Sequence, residues 1–183
     1  NLPLPAIVIL TVLASAIWAG AYGYTTEKLA YKPLRHAPRL SPLISAIGMS
    51  MFLQNYVLLA QTPDFLPFPA LIPEFAFMDK YAGIIGSSDI VILLTTAVIM
   101  IFLTLYIKFT RTGKAMRATA QDRTMAMLVG INVNRVISAT FIIGSALAAI
   151  GGTLVASHIG QINFYIGFIA GIKAFTAAVL GGI

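Results

Sequence analysis

The stretch that decides the fold is KFTRTGKAMRATAQDRTMAMLVGINVNR, residues 108–135. It carries six of the twelve Lys and Arg residues and a single acid, Asp122. Apolar runs long enough to cross a bilayer flank it on both sides. We therefore interpret it as a water-facing segment of a membrane protein. An apolar patch interrupts its charges, formed by Met125, Ala126, Leu128 and Val129. A plain charged linker has no need of such a patch.

The composition of the whole chain agrees with this class. Hydrophobic residues make up 58% of the 183 positions and charged residues 10%, against roughly 25% charged residues in a soluble domain. The absence of cysteine excludes disulfides and thiolate metal sites. The net charge of +6 lies in the loops between apolar runs, so membrane topology explains it better than nucleic-acid binding.

The apolar runs predict the fold class, all-α, a polytopic bundle of transmembrane helices. A span needs about 20 apolar residues to cross a hydrocarbon core of roughly 30 Å. Because the chain starts at Asn1 without Met and ends inside an apolar run, we expect a fragment truncated at both ends. The predicted spans are approximately 4–24, 40–61, 90–107, 136–157 and the start of a fifth at 174–183.

The charges of the loops predict the orientation of these spans. Lys and Arg are retained on the cytoplasmic side of a membrane. Residues 27–39 and 108–135 hold ten of the twelve basic residues, whereas residues 64–89 hold four acids and only Lys80. The two basic loops are therefore predicted to be cytoplasmic. The acidic loop is predicted to be an irregular outer connection, since Pro63, Pro67, Pro69 and Pro73 resist a continuous helix.

Residues 108–135 divide into two parts. In the first, Lys108, Arg111, Lys114 and Arg117 recur every three residues, which predicts a basic stripe on a helix that continues from the third span. In the second, Asp122 is predicted to be the N-cap of a short helix over residues 123–129. Gly130 suits the left-handed residue that closes such a helix. Asn134 is predicted to cap the fourth span.

An amphipathic helix in this position has two possible environments. It can lie in the lipid interface, or it can enter a groove on a partner protein. The residues alone favour neither environment.

Three further features lie nearer the C-terminus. Gly144, Ala148, Gly152 and Ala156 fall four apart on one helix face, which favours dense packing inside the chain over a subunit interface. Residues 158–173 contain three glycines and predict either an exposed loop or a re-entrant or broken helix. Lys173, at the start of the last apolar run, is predicted either to reach the surface or to have a function in the membrane.

No enzyme constellation is found. His36 and His158 are assigned to opposite sides of the membrane, so they cannot share a metal. No phosphate-binding GxxxxGK[ST] motif, GxSxG or HExxH occurs. We therefore expect no catalytic residues, no metal and no cofactor.

Four segments resemble a known family: EKLAYKPLR, LISAIGMSMFLQNY, AMRATAQDRTMAMLVGINVNRV and NFYIGFIAGIKAFTAAVLGGI. Together they are similar to the H-type permease subunit of bacterial branched-chain amino-acid ABC importers, over nearly all of the chain. The resemblance implies one partial permease domain over residues 1–183, with several passes through the inner membrane. It implies a second permease subunit, two cytoplasmic ATPases and a periplasmic amino-acid-binding protein as partners.

The resemblance also implies that the helix after Asp122 docks on an ATPase. Importers of this class carry the pattern Glu-Ala-Ala, three residues, then Gly, which places Gly at Gly130 and the second Ala at Ala126. Thr124 then occupies the place of the acid, a departure from the family pattern. The coupling residues implied by this alignment are Arg117, Asp122, Met125, Ala126, Gly130 and Ile131.

The residues leave the transported substrate open. Leucine, isoleucine and valine follow from the resemblance, and the alternatives are a sugar such as ribose in a related permease, or an ion-coupled secondary transporter. A membrane-embedded enzyme would need convergent His, Asp or Ser groups, which are not found. The candidate residues of the substrate pathway are Gln54, Asn55, Asn163 and Lys173, with Gln161 beside them.

Overall fold

The computed structural model describes residues 4–37, 41–69 and 87–181. The predicted all-α class of fold is confirmed. The α-helices of the described residues are α1 (Leu4–Thr26), α2 (Ser41–Ala60), α3 (Ser87–Phe109), α4 (Arg111–Gln121), α5 (Arg123–Leu128), α6 (Val133–Ile159) and α7 (Ile166–Leu180). A π-helical turn, Glu27–Tyr31, continues α1, and a 3-10 turn, Pro33–His36, follows it. Two short strands, β1 (Leu66–Pro67) and β2 (Gln161–Ile162), pair antiparallel.

Three of the described helical stretches are long and apolar enough to cross a membrane, and two apolar helices are shorter. The long stretches are Ala6–Tyr31, Asp89–Phe109 and Val133–Ile159, and the shorter ones are Ile44–Ala60 and Ile166–Leu180. The predicted fifth span therefore belongs to a helix that begins at Ile166, well before Ala174. The membrane topology itself stays a prediction, and residues 38–40 and 70–86, with Arg39, Pro73 and Lys80, lie outside the described residues.

The glycine-rich region 158–173 is mostly helical, so of the two predicted alternatives the structure favours a broken helix over an exposed loop. Only residues 160–165 separate α6 from α7. Gly160 has a φ of +72°, a left-handed conformation that ends α6. Its carbonyl oxygen accepts a hydrogen bond from the backbone N–H of Phe68 at 2.9 Å. A sharp corner, tied to the strand pair, thus joins the two helices.

The chain divides into two compact units, one comprising residues 1–27 and 71–154 and the other residues 28–70 and 155–183. In the first unit, α1 approaches α6 closely at Gly23. A Cβ atom at this position would lie 2.6 Å from the Cβ of Ser145 and 3.1 Å from the carbonyl oxygen of Phe141. Only glycine allows the two helices this separation.

The junction between α3 and α4 corrects the predicted basic stripe. Thr110 adopts an extended conformation, with φ −80° and ψ 156°, which ends α3. Its hydroxyl donates to the carbonyl oxygen of Tyr106 at 2.7 Å and accepts from the N–H of Gly113 at 3.0 Å. One side chain therefore closes the first helix and caps the second. The helix does not continue, and Lys108 is separated from the basic residues of α4.

The small-residue face of α6 is only partly covered. Ala156 is buried, whereas Gly144, Ala148 and Gly152 are exposed. The expectation that this face packs inside the chain is therefore wrong for three of its four residues. The close approach to α6 instead involves Gly20 and Gly23 of α1, which contact Ile142 and Ser145.

Candidate functional site

The candidate site is α5 and its two caps, residues 122–131. Asp122 has an extended backbone, with φ −151° and ψ 114°, and so cannot belong to either neighbouring helix. Its Oδ1 accepts hydrogen bonds from the backbone N–H groups of Thr124 at 2.8 Å and Met125 at 3.1 Å. These bonds satisfy two of the donors that a helix start leaves unpaired. The predicted N-cap is confirmed.

The other end of α5 is closed by the backbone alone. Gly130 has a φ of +84°. Its N–H donates to the carbonyl oxygen of Met127 at 3.0 Å, and the N–H of Ile131 donates to that of Ala126 at 3.0 Å. This pair of bonds is the Schellman motif, which needs a left-handed residue at the position of Gly130. The predicted role of Gly130 as helix terminator is confirmed.

The apolar patch on α5 differs from the predicted one by a single exchange. Ala126 is only 3% exposed, on a helix that packs against α4. Met125, Leu128 and Val129 are exposed, and so is Met127. The patch that α5 presents outward therefore consists of Met125, Met127, Leu128 and Val129. Ala126 holds the helix to the protein rather than taking part in the outward surface.

Two polar residues near α5 differ from expectation. Asn132, not Asn134, caps α6, because its Oδ1 accepts from the N–H of Arg135 at 3.1 Å. Arg117 lies on α4, and its guanidinium donates to the carbonyl oxygen of Lys108, near the end of α3, at 3.3 Å. The structure thus brings five of the six predicted coupling residues together, and Arg117 instead fastens α4 to the end of α3.

The four predicted residues of the substrate pathway separate into two pairs. Gln54 donates to the hydroxyl of Ser50 at 3.3 Å, and Asn55 donates to the carbonyl oxygen of Met51 at 2.8 Å, so both bond within α2. Asn163 and Lys173, by contrast, line one cavity of about 430 Å³, together with Gln161. The structure therefore assembles one pair and leaves the other as helix-internal hydrogen bonding.

Glu27 is the residue that sequence reasoning missed. It is 1% exposed, and no larger side chain of the described residues is buried so completely. Ser138 of α6 donates its hydroxyl hydrogen to Oε2 of Glu27 at 2.8 Å. The available signal was the position of Glu27 as the one acid in the basic stretch 27–39, directly after an uncharged span. Ser138 lies near the start of α6, so this bond joins the turn that continues α1 to the beginning of α6.

The sequence model of one family, described as the permease component of the branched-chain amino acid transport system, matches residues 1–183. This chain belongs to that family. The α5 helix and its two caps, residues 122–131, lie within the matched region.

Two curated relatives are similar over nearly the whole chain. The high-affinity branched-chain amino acid transport system permease protein BraD of Pseudomonas aeruginosa is 48% identical over 182 residues, covering 98% of this chain and 59% of BraD. The corresponding permease protein LivH of Escherichia coli K12 is 47% identical over 174 residues, covering 93% of this chain and 56% of LivH. The chain thus spans between half and two thirds of the length of these relatives.

A sugar permease gives a weaker match. The fructose import permease protein FrcC of Rhizobium meliloti is 31% identical over 71 residues, which cover 39% of this chain and 20% of FrcC. No solved structure matches the chain.

Proposed function

We propose that this chain is part of a permease subunit that carries leucine, isoleucine and valine across the bacterial inner membrane, driven by ATP hydrolysis on separate subunits. The observation that carries the proposal is the similarity to BraD and LivH at 47–48% identity along nearly all of the chain. The likeness to fructose permeases is weaker, at 31% identity over 39% of the chain or 24% identity over its whole length, which makes a sugar the weaker candidate substrate.

The proposed complex holds a second permease subunit, two cytoplasmic ATPases and a periplasmic amino-acid-binding protein. The exposed side chains of α5 supply the surface for an ATPase. Met125, Met127, Leu128 and Val129 form a flexible apolar face of the kind that fills a groove on a partner. A helix of six residues offers too little apolar area to hold firmly in a lipid interface, so a protein groove is the better partner.

The coupling step follows from how α5 is attached. Ala126 is buried in a helix that packs against α4, and Thr110 and Arg117 fix α4 to the end of α3. At its other end α5 leads through Asn132 directly into α6. A push on α5 from closing ATPases would therefore reach α3 and α6 together. We infer that these rigid connections convert the push into alternating access.

Asp122 is the acid nearest to Thr124, where the family pattern has its acid, and it replaces that acid only in part. The first turn of α5 contains no acidic residue, but Asp122 places its carboxylate at the start of the helix. That carboxylate is engaged by two backbone N–H groups. Its role is to shape α5, and the apolar side chains, not a salt bridge, would carry the contact with the ATPase.

An ion-coupled secondary transporter is the second candidate, and one observation favours it. Such transporters use titratable groups buried within their spans, and Glu27 is a buried acid in the candidate span Ala6–Tyr31. The hydrogen bond from Ser138 gives Glu27 a structural role as well. Transport driven by an ion gradient without ATP would support this second candidate.

Reconstitution of the full-length permease into liposomes tests the proposed function. We expect leucine uptake only when the second permease, both ATPases, the binding protein and internal ATP are all present. A proton or sodium gradient alone is expected to drive no uptake. Uptake without the ATPases, or ATP hydrolysis stimulated by a sugar-loaded rather than a leucine-loaded binding protein, would overturn the proposal.

Gly130 variants test the coupling role of α5. Gly130→Val forces a β-branched residue into a left-handed conformation at φ +84°. No atom lies within 4 Å of a Cβ built there, so the effect is conformational rather than steric. We expect leucine uptake to fall at least tenfold, while leucine binding to the separate binding protein stays unchanged.

Gly130→Asn is the matched control, because asparagine tolerates the left-handed region. It is expected to keep most of the uptake. Gly130→Asp adds a negative charge at the negative end of the helix dipole and is expected to abolish uptake. Normal uptake by both the Val and the Asp variants would contradict the assignment of α5 as the coupling helix.

A further inference from the structure

One cavity in the second compact unit has a composition suited to an amphipathic ligand. It lies between the strand pair, the end of α6 and the first half of α7, and its volume is about 430 Å³. Aliphatic side chains, Val155, Ile159, Ile166 and Ile169, form much of its wall. Its size falls within the range of small-molecule pockets, roughly 300–1,000 Å³.

The corner that forms one side of this cavity is held by specific hydrogen bonds. Leu66 pairs with Ile162, and Pro67 pairs with Gln161. Asn163 accepts a hydrogen bond from the N–H of Tyr165 through its Oδ1 at 3.1 Å. The turn between α6 and α7 is thus fixed by the chain itself, so the wall is formed before a ligand arrives.

The polar groups of the cavity are few, and they are of the kinds that bind an amphipathic ligand: one cation and two amides. Lys173 is the only charged residue among those lining it, and Gln161 and Asn163 contribute amides. Within the described ranges, the side-chain ammonium of Lys173 makes no hydrogen bond or ion pair. The backbone carbonyl oxygen of Lys173 accepts a hydrogen bond from the hydroxyl of Thr176. The cavity therefore combines an unneutralised cation with an aliphatic wall, and an anionic group on an aliphatic body complements both.

We propose that this cavity binds the transported aliphatic amino acid, with the ammonium of Lys173 on its α-carboxylate and the isoleucines around its side chain. The amide oxygen of Gln161 lines the cavity and can accept from its amino group, and Oδ1 of Asn163, which already accepts from the N–H of Tyr165, has a second lone pair for the same purpose. This inference rests on the proposed function. Under the predicted topology α6 runs outward, so the cavity faces the side from which a periplasmic binding protein delivers its cargo.

The assignment gives Lys173 a reason to be where it is. α7 begins at Ile166, which places Lys173 about two turns into the helix rather than at the start of the apolar run. A lysine within an apolar membrane helix carries a free-energy cost on insertion unless its charge reaches water or a partner. A carboxylate ligand would offset part of that cost during each transport cycle.

Direct binding of leucine to the full importer, purified without the binding protein, tests the inference. Lys173→Met removes the cation while retaining an unbranched apolar chain. Since a hydrogen bond to a charged group contributes about 1.5–3 kcal/mol, we expect leucine affinity to fall roughly tenfold or more. Leucine amide, which lacks the carboxylate, should bind weakly to the unmodified importer and lose little further on Lys173→Met.

Three further variants complete the experiment. Lys173→Arg keeps the charge and should restore most of the affinity, which excludes a folding defect as the cause. Gln161→Ala is expected to weaken binding to a smaller degree. Lys32→Met, which removes an exposed lysine outside the cavity, should bind leucine normally.

The outcomes separate the two proposals. If the unmodified importer takes up leucine and Lys173→Met binds it with unchanged affinity, the cavity proposal is wrong and the proposed function stands. If the unmodified importer takes up no leucine with all its partners present, the proposed function itself fails. Equal loss of affinity in the Lys173→Arg and Lys173→Met variants would also contradict a carboxylate contact.

Discussion

Glu27 and Ser138 show how much a single pair of residues contributes to the packing of the first unit. A carboxylate removed from water is costly unless it is hydrogen-bonded or paired. The Ser138 hydroxyl meets part of that need, at 2.8 Å from Oε2. Because Gly20 and Gly23 precede Glu27 on α1 and contact α6 as well, the polar contact continues a glycine-lined interface.

We expect Ser138→Ala to lower the thermal stability of the purified permease. The substitution leaves a buried carboxylate with one donor fewer, at a cost of about 1–3 kcal/mol. Glu27→Gln should be milder, since its amide oxygen still accepts from Ser138. The double variant Glu27→Gln with Ser138→Ala should cost less than the sum of the two single changes, because the residues interact.

Unfolding of the detergent-purified protein measures these costs. Ser50→Ala is the control, since it removes a hydroxyl whose hydrogen bond, to Gln54, lies within one helix. Its effect should be small. An effect of Ser138→Ala no larger than that of Ser50→Ala would show that the bond does not contribute.

Residue-scale features were predictable only where their causes are local. The capping of α5 by Asp122 and Gly130 depends on hydrogen bonds within six residues, so the sequence carries the signal. The burial of Glu27 depends on Ser138, more than one hundred positions along the chain. No sequence pattern around Glu27 indicates that partner, and the charges of residues 27–39 predicted a solvated loop.

At the scale of elements, the close junction between α3 and α4 determines how α5 is presented. Gly113 lies one turn into α4, directly against the backbone of α3. A Cβ atom there would lie 2.5 Å from the Cα and 2.6 Å from the carbonyl carbon of Ile107. Such distances exclude any side chain, so the two helices meet at this separation only because residue 113 is glycine.

We expect Gly113→Ala to uncouple ATP hydrolysis from transport. The added methyl group must push α4 away from α3, and α5 moves with α4 because the two helices pack together. In the reconstituted importer, leucine taken up per ATP hydrolysed should fall several-fold. The loss would occur with the apolar face of α5 unaltered.

Gly48→Ala is the matched control for this change. Gly48 lies on α2, and no atom is within 4 Å of a Cβ built on it. The same substitution there should leave the ratio of transport to hydrolysis unchanged. An unaltered ratio for Gly113→Ala would mean that the spacing of α3 and α4 has no part in coupling.

The start of α7 shows where element boundaries escape prediction. Gly167, Gly171 and Lys173 suggested that the apolar run is broken until Ala174. In the structure the helix already begins at Ile166, directly after a corner built by the pairing of β1 with β2. Glycine is common within membrane helices, and the partner strand lies almost one hundred residues earlier. A local reading could not supply that contact.

At the scale of the whole molecule, the helices leave much apolar surface uncovered. Ile17, Trp18 and Phe102 are among the large side chains that are more than two thirds exposed, at 74%, 69% and 70%. In the helix Asp89–Phe109, no residue of the most apolar stretch is buried. In water such a surface would aggregate, so lipid or further subunits must cover it, as the proposed permease complex requires.

The predicted orientation is testable with thiol labelling. Because the chain contains no cysteine, any single introduced cysteine reports alone. We expect Gln61→Cys, exposed after α2, to react with a membrane-impermeant maleimide at the outer face of the inner membrane. Thr124→Cys, exposed on α5, should react only after the membrane is opened.

The unmodified chain is the blank for both reactions. Labelling of Thr124→Cys from outside, with Gln61→Cys protected, would reverse the orientation derived from the basic loops. It would also remove α5 from the reach of a cytoplasmic ATPase.

The two caps of α5 have a consequence for how such permeases diversify. Residues 122–131 carry their own start and stop signals, in Asp122 and Gly130, and are anchored by Ala126. The side chains that face outward take no part in those signals. Mutation can therefore change the outward side chains while the caps and the buried Ala126 keep the helix folded. A duplicated importer could in this way fit a new ATPase without a change in its fold.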